Sequence, residues 1–242
     1  LFALPLAALL QRVEWSHLVD DLQAPGATDA LKLSIATSLC AAFLAVVFGV
    51  PLAWALARVP FPGRSVVRGL VLLPMVLPPV VGGVALLSAF SLRSPLGRWL
   101  HDALGIQLTF HPAGVVLAET FVAMPFLVIT VEAALRNLDP RYEEAAASLG
   151  ASRLTVLRRV TLPLIWPALR AGAVLSWARA LGEFGATITF AGNIAGRTQT
   201  LPLAIYLQLE SDPSAAIALS MVLLLVSFAV LVGLRGRWLG QT

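Results

Sequence analysis

The sequence has few charged residues. Asp, Glu, Lys and Arg make up only 12% of its 242 residues, about half the share found in a typical soluble domain. Hydrophobic residues make up 58% of the chain, and the mean hydropathy is +0.86. Such a composition excludes an ordinary soluble protein and predicts an all-α integral membrane protein with a single domain over residues 1–242.

Several catalytic and binding motifs are also absent. There is no GxxxxGK[ST] loop to hold ATP, and neither HExxH nor GxSxG occurs. The single cysteine, Cys40, excludes a disulfide framework and a cysteine-built metal site. His17, His101 and His111 lie in polar loops without an acidic cluster beside them, so no metal site is predicted. We therefore expect no enzyme activity and no cofactor in this chain.

The net charge of +4 and the pI near 10.2 do not indicate nucleic-acid binding. The basic residues are scattered arginines without stacking aromatic residues beside them. Such a distribution favours positively charged loops at the surface of a membrane.

Five runs are long and apolar enough to cross the hydrocarbon core of a bilayer, which is about 30 Å thick. They are Leu33–Ala57, Gly69–Leu92, Ala113–Leu135, Leu162–Leu181 and Pro213–Leu234. Residues 1–11 are apolar but too short to span. They are either the tail of a sixth, N-terminal helix or the apolar region of a signal sequence without its basic flank. We favour the helix tail.

The arginines and lysines predict the orientation. With five alternating spans, residues 58–68, 136–161 and 235–242 share one side and carry ten basic residues, whereas the opposite side carries five. Arg170 and Arg179 lie within the fourth span. Because cytoplasmic loops carry an excess of Lys and Arg, the side with ten is expected to be cytoplasmic.

A charged helical hairpin is predicted over about 139–163, on the cytoplasmic side. Asp139 and Pro140 are a helix start signal, and Gly150 a stop signal. Ser152 can cap a second helix, and Pro163 opens the next apolar run. A shallow face of small residues is predicted from the positions of Tyr142, Ala145, Ala146 and Leu149. This pattern is equally typical of a solvated connector and of a docking element.

Two further stretches favour a solute pathway. Pro74, Pro78 and Pro79 precede Gly82 and Gly83 within the second span. Proline frees carbonyls that hydrocarbon cannot satisfy, so the stretch is either a kink between packed helices or the wall of a cavity. Three prolines and a glycine pair favour the cavity wall.

The second stretch is residues 178–193. Arg179 and Glu183 are four residues apart, so on a helix they can pair and neutralise each other. Neutral polar or small residues accompany them, namely Gly182, Gly185, Thr187, Thr189 and Asn193. A hydrated tetrahedral oxyanion can pass such a lining without being trapped, although the ion pair is also consistent with a structural role at a helix end.

The spacing Glu144-Ala145-Ala146, then Gly150, then Val160-Thr-Leu-Pro163 resembles the EAA loop of ABC-importer permeases, with Val160 where isoleucine is usual. LGEFGATITFAGN, RTQTLP, LPMVLPPVVGG and PFPG resemble the molybdate permeases of bacterial ABC importers. The likeness covers about residues 31–235. Sulfate and thiosulfate permeases, which typically have tyrosine in this GEFG motif, are the nearest alternative, so Phe184 favours molybdate or tungstate.

The resemblance implies a type I ABC-importer permease fold with five complete transmembrane helices and an N-terminal sixth, in the bacterial cytoplasmic membrane. It further implies a homodimer that works by alternating access. Two ABC ATPase subunits would bind ATP and Mg on the cytoplasmic side, and a molybdate- or tungstate-binding protein would dock outside.

The implied site residues form two groups. The ATPase-coupling residues are Glu143, Glu144, Ala145, Ala146, Gly150, Leu162 and Pro163. The pathway or gate residues are Pro78, Pro79, Gly82, Arg179, Gly182, Glu183, Phe184, Gly185, Thr187, Thr189 and Asn193.

Two other classes remain open. A secondary transporter driven by an ion gradient needs charged residues within its spans, and Glu119 and Arg170 are the candidates. These two residues are equally consistent with a buried pair between helices. A membrane anchor or assembly factor without a pathway is the third interpretation, which the proline-rich and glycine-rich stretches disfavour.

Overall fold

A computed structural model describes residues 3–13, 15–16 and 26–238, which form helices and contain no strand. The helices are α1 Ala3–Arg12, α2 Ala27–Arg58, α3 Arg64–Val76, α4 Pro79–Phe90, α5 Pro95–Leu104, α6 Pro112–Asn137, α7 Pro140–Ser148, α8 Arg153–Val156, α9 Leu162–Leu181, α10 Gly185–Phe190, α11 Leu201–Ser211 and α12 Pro213–Trp238. A π-helical turn, Leu157–Thr161, joins α8 to α9. The all-α fold class is confirmed.

Several of these helices begin at an N-cap residue that the local sequence provides. Ser94 caps α5 by accepting a hydrogen bond from the Gly97 amide at 2.9 Å, and Asp139 caps α7 by accepting one from the Arg141 amide at 3.0 Å. Both caps are followed by proline at the first helical position, where a missing N–H costs nothing.

Helix α6 lies at the centre of the fold and packs against α2, α3, α9 and α10. The most extensive contact is with α2, where Ala41, Ala45 and Ala53 are completely buried along one face. A side chain at Gly49, on the same face, would meet Leu127 of α6 at 2.9 Å. Because lipid is as apolar as the protein interior, such close packing of small residues holds membrane helices together.

The predicted second span, Gly69–Leu92, is interrupted at its prolines. Helix α3 ends at Val76 and α4 begins only at Pro79. Leu77 and Pro78 have extended backbone conformations, since proline disfavours a helical residue before it and cannot donate a hydrogen bond. The predicted polar loop 93–112 contains α5, which follows α4 with a bend of 57°.

The predicted fourth span, Leu162–Leu181, coincides with α9, but no break separates it from the hairpin. Residues Arg153–Leu181 form one helix of 29 residues, so the second helix of the hairpin runs directly into the span. In the π-helical turn the Leu162 amide donates to the Leu157 carbonyl, five residues back. Pro163 follows without ending the helix, because it lies at the first turn after this change of hydrogen-bond register.

By length and composition, three described helices can cross a membrane, or four if α4 and α5 form one bent span. The three are Ala27–Arg58, Pro112–Asn137 and Arg153–Leu181. The predicted last span begins at Pro213, as α12 does. Residues 3–12 form α1, which contacts α12.

Candidate functional site

The predicted coupling hairpin is present as α7, a tight turn and α8. Gly150 has φ +84° and ends α7 in the left-handed conformation that glycine adopts without strain. The Gly150 amide donates to the Ala147 carbonyl at 2.9 Å and the Ala151 amide to the Ala146 carbonyl at 3.1 Å. This pair of hydrogen bonds is the Schellman arrangement, and it fixes the direction of the chain between the two helices.

The surface of α7 is exposed to solvent. No residue of α7 is buried; Tyr142 is 57% exposed, and Leu149, just after the helix, is 89% exposed. Ala145 is exposed and Ala146 is half-buried. The small-residue face predicted from the sequence therefore lies at the surface, where another protein can reach it.

The two glutamates of the hairpin have different surroundings. The Thr161 hydroxyl donates to Glu143 Oε1 at 2.6 Å, and Arg58 Nη2 lies 3.3 Å from Glu143 Oε2. Glu143 thus joins α7 to the end of α2 and to the π-helical turn, whereas Glu144 is exposed. We call the group Arg58, Glu143 and Thr161 the clamp.

Leu162 and Pro163 lie in the first turn of α9, away from the exposed face of α7. Leu162 packs against the apolar cluster around Leu127 and Leu135, and Pro163 is exposed. Their place in the fold is thus at the junction between hairpin and span.

The two stretches predicted to form the pathway lie against each other. A side chain at Gly83 of α4 would meet the Ala186 carbonyl oxygen of α10 at 2.8 Å. In return, a side chain at Gly185 would meet the Pro79 side chain at 2.8 Å and the Val80 amide nitrogen at 3.2 Å. The start of α4 and the start of α10 therefore pack backbone to backbone, which only glycine permits. We call this the glycine contact.

The predicted ion pair of Arg179 and Glu183 is present. Arg179 Nη1 lies 2.5 Å from Glu183 Oε2, and the Ala186 amide donates to Glu183 Oε1 at 2.7 Å. The Glu183 side chain is 1% exposed. One carboxylate therefore neutralises an arginine at the end of α9 and caps the start of α10, which stabilises the break between these helices.

The other residues of the predicted pathway occupy different environments. Thr187 is fully buried, and the Thr189 hydroxyl donates to the Gly185 carbonyl at 2.8 Å. Asn193 is half-buried, Gly182 is exposed, and Gly82 faces the ring of Phe121. Their role as a lining stays a prediction.

Phe184 borders a different feature, an apolar cleft of about 550 Å³ between α11 and α12. Its ring centroid lies 5.2 Å from that of Tyr206. The cleft is lined almost entirely by apolar groups, so it does not suit a hydrated oxyanion.

One buried carboxylate, Glu132, is not among the residues predicted from the sequence, and another, Glu119, has a different neighbour from the one suggested. Glu132 of α6 pairs with Arg68 of α3 and with Arg136. The sequence carries a signal for the pair with Arg136, because Arg136 follows Glu132 by four residues and such residues are neighbours on a helix.

Glu119 and Arg170 have different neighbours. The Thr37 hydroxyl donates to Glu119 at 3.0 Å, while Arg170 lies over the ring of Trp166 at 4.8 Å.

The suggested buried pair of Glu119 and Arg170 is thus wrong. No ion pair joins the two within the described residues, since each has a different neighbour. Glu119 is buried within α6 and Arg170 is exposed on α9, so the two charges lie in different environments.

Residues 28–240 match the protein family described as binding-protein-dependent transport system inner membrane component. The chain belongs to this family. Its members are permease subunits of ABC transporters, which are not themselves enzymes, and the chain is a multi-pass membrane protein.

The chain is similar to curated permeases named for molybdenum transport and for sulfate transport. The molybdenum transport system permease protein ModB of Mycobacterium tuberculosis is 50% identical over 237 residues, which cover 97% of this chain and 89% of that protein. ModB of Escherichia coli is 39% identical over 212 residues, covering 88% of this chain and 93% of that protein. The sulfate transport system permease protein CysT of Salmonella typhimurium is 41% identical over 236 residues, covering 96% and 85%.

Solved structures share the fold. A chain of the bacterial ABC transporter that imports the acidic polysaccharide alginate matches with a TM-score of 0.75 at 19% identity, covering 96% of this chain and 87% of that chain. A chain of the MetNI methionine ABC transporter matches with a TM-score of 0.61 at 19% identity, covering 86% and 94%. The permease therefore has the all-helical type I fold of ABC importers.

Proposed function

We propose that this permease carries molybdate or tungstate into the cell as the membrane-spanning subunit of an ATP-driven importer. The observation that carries the proposal is the 50% identity over 97% of the chain to a permease named for molybdenum transport. We further propose that two copies form a homodimer in the bacterial cytoplasmic membrane, each with five complete spans and an N-terminal sixth.

The exposed face of the hairpin supports a separate ATPase as the source of energy. The chain has no GxxxxGK[ST] loop, so ATP and Mg would be bound by two ABC ATPase subunits on the cytoplasmic side. Glu144, Ala145, Ala146 and Gly150 offer small or exposed groups that a groove on such a subunit can accommodate. Movement of the two ATPase subunits towards each other would then move the hairpins and open the paired permeases outward.

The break between α9 and α10, which is predicted to lie on the outer side of the membrane, suits an oxyanion delivered by an extracytoplasmic binding protein. Arg179 is neutralised by Glu183, so it does not form a strong cationic site that would hold the anion. We infer that Glu183, Gly185 and Thr187 stabilise the wall of the pathway from the protein interior, because all three are buried. The exposed Pro78, Pro79 and Gly182 and the half-buried Thr189 and Asn193 are left to face the pathway.

A sulfate or thiosulfate permease is the second candidate, favoured by the 41% identity to CysT of Salmonella typhimurium. Reconstitution of the permease with its ATPase and binding protein in proteoliposomes separates the two. We expect ATP-dependent uptake of radioactive molybdate that a tenfold excess of sulfate leaves unchanged. Uptake blocked by sulfate would favour the second candidate, and uptake without nucleotide would favour an ion-coupled transporter.

A further inference from the structure

We propose that Glu143 is a positioning residue that transmits movement of the hairpin to α2 and α9, and that it does not itself bind the ATPase. This inference rests on the proposed function, because it presumes that an ATPase moves the hairpin. It separates two adjacent glutamates into different roles, transmission for Glu143 and docking for Glu144.

The first argument is the geometry of the clamp. Glu143 uses both carboxylate oxygens, one for the Thr161 hydroxyl at 2.6 Å and the other for Arg58 at 3.3 Å. Arg58 is the last residue of α2, and Thr161 is the last residue of the π-helical turn that leads into α9. A single side chain therefore connects the hairpin to two helices long enough to span the membrane.

The second argument is the lack of apolar packing beneath α7. None of its residues is buried, so apolar burial contributes little to holding this helix against the body. Within the described residues, no other ion pair connects α7 to α2. The clamp lies partly out of solvent, with side chains of Arg58 and Glu143 24% and 25% exposed, so its charges are screened less than those of a fully exposed pair.

The third argument is the π-helical turn itself. Its hydrogen bonds reach five residues back, and such turns are local departures from the regular helix at which bending is common. A hinge at this position would let α8 swing without moving α9. Because Glu143 accepts a hydrogen bond from buried Thr161 at the end of the turn, the clamp braces the hinge.

Glu144 provides the matched comparison. It neighbours Glu143 in α7, about 100° further around the helix, and its side chain points into solvent. Alanine at either position keeps the helix, since alanine has the highest helix propensity. Glu143→Ala and Glu144→Ala therefore remove the same group from the same helix with different surroundings.

The test uses the complete permease–ATPase complex with its binding protein in proteoliposomes, and measures ATPase association, ATP hydrolysis and uptake for each variant. For Glu143→Ala we expect wild-type association but a fall in uptake per ATP of about tenfold, the factor that one charge-assisted hydrogen bond can supply. For Glu144→Ala we expect weaker association, with uptake per ATP unchanged in the complexes that form.

A charge exchange guards against simple misfolding. Arg58→Glu combined with Glu143→Arg restores the ion pair with reversed polarity, and should recover part of the uptake per ATP lost in either single reversal, since arginine at 143 cannot accept the Thr161 hydrogen bond. The inference is overturned if Glu143→Ala keeps normal uptake per ATP, if it loses ATPase association as Glu144→Ala does, or if the exchange recovers nothing.

A spin label at Ala147, in a Cys40→Ser background, makes failure of the clamp distinguishable from failure of the proposed function. Ala147 is exposed on α7, so its label reports the mobility of the hairpin without any ATPase present. We expect Glu143→Ala to raise that mobility and Glu144→Ala to leave it unchanged. Equal mobility in both variants overturns the clamp, whereas a wild-type permease that binds no ATPase overturns the proposed function.

Discussion

The hairpin and the break between α9 and α10 both depend on a glutamate that binds an arginine and a second donor, yet the two differ in burial. Glu143 is 25% exposed and connects α7 with α2 and the π-helical turn. Glu183 is 1% exposed and connects groups within one short stretch, Arg179 to Ala186. The buried carboxylate fixes local geometry, and the partly exposed one joins elements that are far apart in the sequence.

The packing around the two glutamates differs in the same sense. The hairpin buries no residue of α7, so its surface can adjust to a partner. The glycine contact beside Glu183 brings two backbones together with no side chain between them. A change at the glycine contact or at Glu183 should therefore damage the fold of the permease, whereas a change at the hairpin should weaken binding of a partner subunit.

Charge reversal at the buried pair is expected to have the largest effect. Arg179→Glu or Glu183→Arg alone leaves an unpaired charge in a buried position, which costs about 3–5 kcal/mol. Each should abolish uptake and lower the thermal midpoint in detergent. Reversing both should restore part of the uptake, but not all, because arginine at 183 cannot accept the Ala186 hydrogen bond. If the double variant recovers no uptake, the pair does not act as we describe.

The glycine contact should show the next largest effect. Gly83→Ala places a methyl group 2.8 Å from a backbone oxygen, and relief of such overpacking costs about 1–3 kcal/mol. Gly82→Ala is the control, because its methyl group would meet only the Phe121 ring, at 3.1 Å. We expect a lower thermal midpoint and reduced uptake for Gly83→Ala alone. Equal midpoints for the two variants would mean that the contact is not tight.

Gly150→Trp should have the smallest effect on the fold, but it should selectively prevent binding of the ATPase. A non-glycine residue at φ +84° costs about 1–2 kcal/mol, but nothing lies within 4 Å of the new side chain. Membrane insertion should remain normal while co-purification of the ATPase is lost.

Gly63→Trp is the control for that variant, since Gly63 has φ +80°, equally open space and a predicted cytoplasmic position outside the hairpin. We expect it to retain the ATPase. An undiminished complex with Gly150→Trp would remove the hairpin from the docking surface.

Features that depend on neighbouring residues could be predicted from the sequence. The caps Asp139 and Ser152, the stop at Gly150 and the pair of Arg179 with Glu183 each involve residues within five positions of one another. The proline-rich stretch predicted a disturbed span, although not that the helix ends there.

Contacts between distant parts of the chain could not be predicted. Nothing near Gly83 indicates that Ala186 lies against it, and nothing near Glu143 indicates Arg58 as its partner. In a membrane protein the lipid-facing and protein-facing sides of a helix are both apolar, so hydropathy does not reveal which side packs. The continuous helix from Arg153 to Leu181 could not be predicted, because Pro163 is typical of a helix start and the change of hydrogen-bond register before it has no sequence signal of its own.

Photo-crosslinking at two equally exposed aromatic residues tests whether a separate ATPase acts on the exposed face of the hairpin. Tyr142 of α7 and Trp99 of α5 are both 57% exposed and lie on opposite predicted sides of the membrane. With p-benzoylphenylalanine at each position in native membranes, we expect crosslinks to the ATPase subunit from position 142 and none from position 99. Crosslinks to the ATPase from both positions, or from neither, would contradict the account.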